Sequence, residues 1–296
     1  MKNKIAIASA FIAASSFSFA EIALTESLSV EGFIDTSYQD NSGNGQANDA
    51  SFSLNEVEVS FLVDAGDVSA RIDVDYNGLD QTGNLDQAVI SYDTHGVTVS
   101  VGGMDSQLGF EAFEAPGLYT NSRAFDASQL PETDLGIKVT KQLDEVSSLG
   151  VAFLDQGSFL GDEDNTDTAI EVAYGRDLGN GLGAFVGLRS EANGDDLMNA
   201  YVTYETGAFM FAAEIVDGEI DSDLQLLANY AYASNASVTL RYTNEENGAV
   251  AGGDLDTLTI SHQLALSDNL CITTEITDNG SEDDEHEFSV GALFTF

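Results

Sequence analysis

The sequence predicts an all-β fold: a transmembrane antiparallel up-and-down β-barrel of about sixteen strands, with short turns at one rim and longer acidic loops at the other. Three observations carry this. Apolar and polar residues alternate with period two along nearly the whole chain, the connections between these runs alternate short and long, and the last run ends on an aromatic residue, Phe296.

The first twenty residues stand apart. Lys2 and Lys4 form a basic start, Ile5 to Ala14 an apolar run, and Ser18-Phe19-Ala20 a small-x-small cleavage pattern. That order describes a secretory signal peptide over 1–20, with export and a mature chain beginning at Glu21. After Ala20 no apolar stretch approaches the roughly 18 residues of a membrane-crossing helix. The domain organisation expected is therefore a cleaved leader, 1–20, and one barrel, 21–296.

The strands follow in order. Leu28, Val30, Gly32 and Ile34 alternate with Glu31 and Asp35, Val57 to Val63 with Glu58 and Ser60, and Val68 to Tyr76 with Ser69, Arg71, Asp73 and Asp75. On a helix these charges would scatter over every face; on a strand they share one. The pattern continues through Ala88/Ile90/Tyr92, Val97/Val99/Val101, Leu135/Ile137/Val139, Leu149/Val151/Phe153, Ile170/Val172/Tyr174, Leu182 to Leu188 and Met198 to Tyr204. The last third adds Phe209 to Ile215, Leu224 to Tyr232, Val238/Leu240/Tyr242, Leu258/Ile260/Leu264, Leu270/Ile272/Ile276 and Phe288 to Phe296. Runs of about ten residues suit a tilted strand crossing a bilayer.

Tight connections fall at 64–67, 93–96, near Leu143, at 177–180, 206–207, 234–235 and near 267–268. The connections between them are longer and mostly acidic: 40–51, 77–84, 157–167, 191–196, 217–223, 245–254 and 278–285. A spanning barrel keeps short turns on its periplasmic side and longer loops outside, whereas a soluble sandwich has no reason to hold that parity.

If the apolar set faces lipid, the interleaved set faces the lumen. It includes Glu31, Asp35, Glu58, Arg71, Asp73, Asp75, Lys138, Glu171, Arg189, Arg241 and Glu275, with Gln87, Thr98, Ser100, Gln225, Asn229, Thr259 and Glu287. A sheet in a bilayer must close on itself. Closed at about sixteen strands, it encloses an aqueous channel rather than a side-chain core. The chain carries 51 Asp+Glu against 9 Lys+Arg, a formal net charge of −42. That excludes nucleic-acid partners, which need a basic face, and either repels small anions or reflects a salty habitat. Cys271 is the single cysteine, so no internal disulfide exists.

The signal, strand rhythm and terminal phenylalanine resemble the general porins of Gram-negative outer membranes. Phe288-x-Val290-x-Ala292-x-Phe294-x-Phe296 resembles the terminal strand by which the outer-membrane assembly machinery recognises its clients, with Phe294 and Phe296 as the signal. The connection from Asp105 to Asp134 is about thirty residues, and long connections without regular structure are usually functional. In general porins the loop between the fifth and sixth strands folds into the barrel and narrows it. The resemblance makes Asp105, Glu111, Glu114, Arg123 and Asp126 constriction residues, with Phe110, Phe113, Leu118, Tyr119 and Phe125 pinning the loop to the wall. Val97 to Glu111 together with Tyr119 to Arg123 is also similar to OmpL-like β-barrel porins. Homotrimers, contact with outer-membrane lipid and lipopolysaccharide, and passage of small hydrophilic solutes follow from the porin resemblance. The inward arginines are fewer than in general porins, which favours cation preference.

Catalytic and cofactor chemistry is not expected. His95 falls in an inner turn, His262 on the lipid-facing register and His286 near an outer loop, with no serine patterned beside any of them as a triad requires. Gly102-Gly103 ends a strand and opens no helix, so it is no phosphate cradle. The runs Asp217-x-Glu219-x-Asp221-x-Asp223 and Asp162-Glu163-Asp164 read as solvated loops, the first lacking the glycine and distal glutamate of an EF-hand. Two alternatives remain beside a channel: a structural or adhesive barrel with a closed lumen whose acidic loops bind partners or divalent cations, and a soluble exported all-β binding protein.

Overall fold

Strict alternation makes each strand two-faced, and the computed structural model shows how the chain separates the two faces. The structure describes residues 21–42, 49–77, 82–111, 114–124, 130–131, 133–155, 168–192, 194, 196–218, 222–246, 255–280 and 285–296. The leader, Phe113, Phe125, Asp126 and the run Asp162-Glu163-Asp164 lie outside them.

A two-residue strand, β1 (Ile22–Ala23), precedes sixteen long ones: β2 (Leu28–Ser42), β3 (Asp49–Asp64), β4 (Val68–Asn77), β5 (Thr82–Thr94), β6 (Val97–Asp105), β7 (Thr133–Gln142), β8 (Ser147–Asp155), β9 (Thr168–Gly179), β10 (Leu182–Glu191), β11 (Leu197–Thr206), β12 (Phe209–Asp217), β13 (Ser222–Ala233), β14 (Ala236–Glu245), β15 (Leu255–Ser267), β16 (Leu270–Asn279) and β17 (Glu285–Thr295). Each long strand pairs antiparallel with the next, and β17 pairs with β2 from Phe33–Thr295 to Ser42–His286. The amides of Gly32 and Phe296 each donate to the other's carbonyl at 2.9 Å, completing the seam. β1 continues it, pairing Ile22 with Val30 and Ala23 with Ser29 where β17 has run out. Among the described residues the sheet thus closes on itself without a free edge strand.

The turns after β3, β5, β7, β9, β11, β13 and β15 span two to four residues; of the alternate connections, those after β4 and β12 are also four, and every connection longer than four belongs to that second set. His95-Gly96 and Asn180-Gly181 are two-residue turns with positive φ at both positions (51° and 76°, 56° and 81°), the mirror-image turns that match strand twist. Glycine at the second position takes that conformation without steric cost. Strands at the long-loop rim run further than alternation alone indicated, β2 to Ser42 and β3 from Asp49, because backbone pairing continues past the apolar stretch.

The two faces are inverted relative to a soluble protein. Ile90 is 60% exposed and Leu188 53%, while Glu58, Asp73 and Gln225 are each 0% exposed. A continuous apolar exterior on this scale marks a surface that water does not meet. Aromatics bracket it. Tyr92, Phe209, Phe211, Tyr230, Tyr232 and Phe294 face outward near the short-turn rim, and Tyr38, Phe52, Phe153 and Phe288 near the other. Phe209 stacks on Tyr230 with centroids 4.6 Å apart, and Tyr38 meets Phe52 at 5.0 Å. Two such belts are what interfacial side chains form at the headgroup levels of a bilayer.

Candidate pore constriction

The segment joining β6 to β7, the fifth and sixth strands of the ring, lies inside the barrel. It has one turn of 3-10 helix, Ala115–Gly117, with Pro116 at its centre. The rest of its backbone needs partners elsewhere, and inward-facing wall side chains supply them. The amides of Gln107 and Phe110 donate to Glu171 and Glu214 at 2.7 Å, that of Gly109 to Asn199 at 3.0 Å, and that of Asn121 to Glu275 at 2.7 Å. Carbonyls are met the same way: Thr239 donates to Tyr119 at 3.0 Å and Gln263 to Leu118 at 3.1 Å. The segment is therefore held by side chains of β9, β11, β12, β14, β15 and β16.

Three wall glycines make room for it. A Cβ on Gly150 would stand 1.7 Å from Gln107 Oε1, on Gly187 2.1 Å from Leu108 Cδ2, and on Gly291 2.0 Å from Asn121 Oδ1. Apolar contacts complete the docking. Phe110 and Tyr119 are buried against Tyr201, Met210, Ala212 and Leu227, the inward residues of β11 to β13. Each such ring contributes roughly 2–3 kcal/mol by leaving water. Leu118 is buried as well, beside Cys271 and Leu293, which face inward on β16 and β17.

Arg241 is the polar anchor. Its Nη1 donates to Thr120 Oγ1 and the Ser122 carbonyl, and its Nη2 to Ser122 Oγ, all at 2.7 Å. Glu111 lies 3.4 Å from the same guanidinium and accepts from the Ala124 amide at 2.8 Å. Ser122 Oγ in turn donates to Glu275 at 2.6 Å. Arg189, ion-paired to Asp134 at 2.7 Å and to Glu191 at 2.8 Å, fixes the start of β7 in the same way.

The segment covers one side of the inner wall and leaves the other. Glu171, Arg189, Arg241 and Glu275 face inward as their register predicts, and all four are buried: the inward segment lies on Glu171, Arg241 and Glu275, while Arg189 pairs with Asp134, Glu171 and Glu191. Glu171, Arg241 and Glu275 hold that segment through their hydrogen bonds to it, and Arg189 holds Asp134 at the start of β7. On β2 to β5 Phe33, Ser37, Glu58, Ser60 and Asp73 are buried as well, but Glu31, Asp35, Glu56, Arg71, Asp75 and Asp86 stay partly exposed. Arg71 keeps 32% of its side chain accessible, with Glu31, Glu56, Asp75 and Asp86 half-buried around it. Asp35 accepts from Asn55 at 2.9 Å, and Lys138 donates to the Asp105 carbonyl at 3.1 Å. The side chain of Asp105 accepts from Gln87 and Thr133.

Carboxylates dominate this open side. Arg71 reaches Asp73 at 2.6 Å, Glu31 at 3.2 Å and Glu58 at 3.6 Å. Glu114 comes from the tip of the inward segment to meet Glu58 and Asp86, and the exposed Arg123 lies in the field of Glu56. Burial first, then the Glu58 carboxylate, push the Glu114 carboxyl upward from its ordinary range. Two like charges at such separations repel by about 3 kcal/mol at an effective dielectric constant near 20. Of the expected constriction residues, Asp105, Glu114 and Arg123 thus border the open side, while Glu111 turns to Arg241. Glu56, Asp86, Asn199 and Glu214 were not anticipated. Glu56 lies two residues before Glu58 in the same alternation, so continuing that count would have found it. Asp86 sits where the β4–β5 register shifts between Asp73 and Val74, and nothing in the sequence marks that irregularity.

A closed sixteen-strand barrel with an apolar exterior, a polar interior and its fifth connection folded inward has the architecture of an outer-membrane porin. Solved structures agree. A point-mutant porin from Rh. blastica superposes with a TM-score of 0.67 at 16% identity, over 91% of this chain and 100% of that one. A structure titled for the asymmetric conductivity of engineered proteins gives the same values. A loop-L8-deletion form of OmpT, an outer-membrane protein of Vibrio cholerae, gives 0.59 at 13% identity, over 92% and 100%. No protein-family model matches the sequence, and no curated protein matches it. The likeness is one of fold and does not reach the OmpL-like subfamily.

Proposed function

We propose that the chain forms a water-filled outer-membrane channel for passive diffusion of small hydrophilic solutes and ions, with a preference for cations. The observation that carries the reading is the unequal wall: an inward segment seated on one side, facing the partly exposed Glu31, Glu56, Asp75 and Asp86 with Arg71 on the other. Rings of acidic side chains in a narrow pore concentrate cations and exclude anions. Export by the 1–20 leader, recognition of Phe294 and Phe296 by the assembly machinery, contact with lipopolysaccharide and a trimeric state belong to the same reading. No enzymatic activity or cofactor is part of it.

Liposomes containing the refolded protein should swell in small sugars and resist larger ones. Removing residues 106–132 should raise both the size limit and the conductance. Folded, heat-modifiable protein that admits neither sugars nor ions would leave the closed structural barrel, which the extent of inner wall covered by the segment favours.

A further inference from the structure

The chain places its few cations unevenly. After the leader, Arg71, Lys138, Arg189 and Arg241 face inward and Arg123 belongs to the inward segment. The other two, Lys141 of β7 and Arg176 of β9, point outward at the short-turn rim. Their register shows it. Val97, Lys141, Leu149 and Tyr174 form one row of cross-strand partners on the outward face, and Arg176 stands two residues nearer the turns, opposite Ala184. At the long-loop rim the outward face carries Asp40, Asp155, Asp217, Asp256 and Asp278 instead.

Neither cation is tightly held within the protein. Arg176 Nη1 lies 3.4 Å from Tyr174 Oη and 4.0 Å from Asp144 Oδ2, and 43% of its side chain is accessible. Those are long separations for a guanidinium hydrogen bond. Asp144 is committed to its own turn, where Oδ1 accepts from Ser147 Oγ at 2.6 Å and from the Val146 amide at 3.0 Å. Of the other acidic groups in these turns, Asp177 accepts from the Gly179 amide at 2.7 Å, and Glu145 is exposed beyond the strand ends. Lys141 is exposed and, among the described residues, makes no ion pair or side-chain hydrogen bond. Away from the turns the next outward row is Val139, Val151 and Val172, followed by Ile137, Phe153 and Ile170. The two cations thus stand at the foot of an apolar lane that faces lipid.

We propose that Lys141, Arg176 and Tyr174 form a binding site for the phosphate of an anionic phospholipid in the periplasmic leaflet. Strand spacing and rise put the Cα atoms of the two cations about 12 Å apart, a span that two long side chains close on one phosphate. The guanidinium offers a planar pair of donors to the two free oxygens of a phosphodiester, and the ammonium adds a compact charge. The Tyr174 hydroxyl supplies a further donor, and the acyl chains run along the apolar lane. With a net charge of −42 the chain repels free anions and acidic proteins, whereas a lipid already held by its acyl chains meets the two cations at headgroup depth. The choice of leaflet rests on the outer-membrane reading above; the preference for an anionic headgroup rests on the placement of the two cations and needs no conductance.

Native mass spectrometry of the detergent-refolded full chain tests the site, with phosphatidylglycerol and phosphatidylcholine of matched acyl chains added in turn. Folding of each variant is checked by heat-modifiable gel mobility. The wild type should retain phosphatidylglycerol more tightly than phosphatidylcholine, and Arg176→Gln and Lys141→Gln should each weaken that retention by about fivefold. Arg123→Gln removes the same charge from the inward segment and should leave it unchanged. Equal retention of the two lipids by the wild type, or an equal loss in Arg123→Gln, overturns the proposal. A chain that conducts but shows no headgroup preference keeps the channel and loses the site. One that retains phosphatidylglycerol as predicted but conducts nothing keeps the site and loses the channel.

Discussion

Replacing Arg241 by alanine should release the inward segment while leaving the barrel intact. The guanidinium is 2% exposed and donates three hydrogen bonds of 2.7 Å to Thr120 and Ser122, with Glu111 3.4 Å away. Charge-assisted bonds contribute roughly 1.5–3 kcal/mol each, so the three together amount to about 4.5–9 kcal/mol. Once the segment lifts, Glu111 and the hydroxyls meet lumen water, so a net loss of about 3 kcal/mol is the better figure. That raises the undocked population by roughly two orders of magnitude. Trypsin reports it directly, because Arg123 lies within the segment and trypsin requires an extended backbone on either side of the bond it cuts. Cleavage after Arg123, followed by mass spectrometry, should accelerate steeply in Arg241→Ala while gel mobility shows a folded barrel. Cleavage at the wild-type rate, with unchanged conductance, would refute the anchoring role.

Gly187→Val should have a related effect by sterics alone, since its side chain takes the space of Leu108 Cδ2; faster cleavage after Arg123 checks it. Asp86→Asn and Glu56→Gln, each removing one charge from the open side, should move the reversal potential in a salt gradient toward zero, whereas Glu275→Gln, buried under the segment, should move it less. Phe296→Ala removes the ring that covers Gly32, whose Cβ position lies 2.7 Å from Phe296 Cζ. It should slow assembly, read as a smaller heat-modifiable fraction in outer-membrane preparations.

Much of the barrel was legible because lipid and water impose period two on every strand, and tight turns demand residues such as His95-Gly96. The fifth connection stood out by length, and Phe110, Leu118 and Tyr119 as its apolar residues. What alternation could not reveal was the segment's path. Glu171, Arg189, Arg241 and Glu275 have the same register signature as Arg71 and Asp75, yet one set is covered and the other faces the lumen. The difference depends on contacts more than fifty residues apart, such as Ser106 with Glu171 and Asn121 with Glu275. The glycine recesses at 150, 187 and 291 have meaning only once that path is known. Asp86 escaped for a local reason, the register shift opposite Asp73 and Val74.

The central claim is that an acidic aperture passes cations. Single-channel recording in a planar bilayer under a potassium chloride gradient, with EDTA present, tests it most directly. The account predicts a steady conductance whose reversal potential has the sign of cation flow, and whose magnitude shrinks as salt screens the carboxylates. A reversal potential of the opposite sign would mean that Arg71 and Arg123 outweigh the carboxylates around them, and would contradict the account.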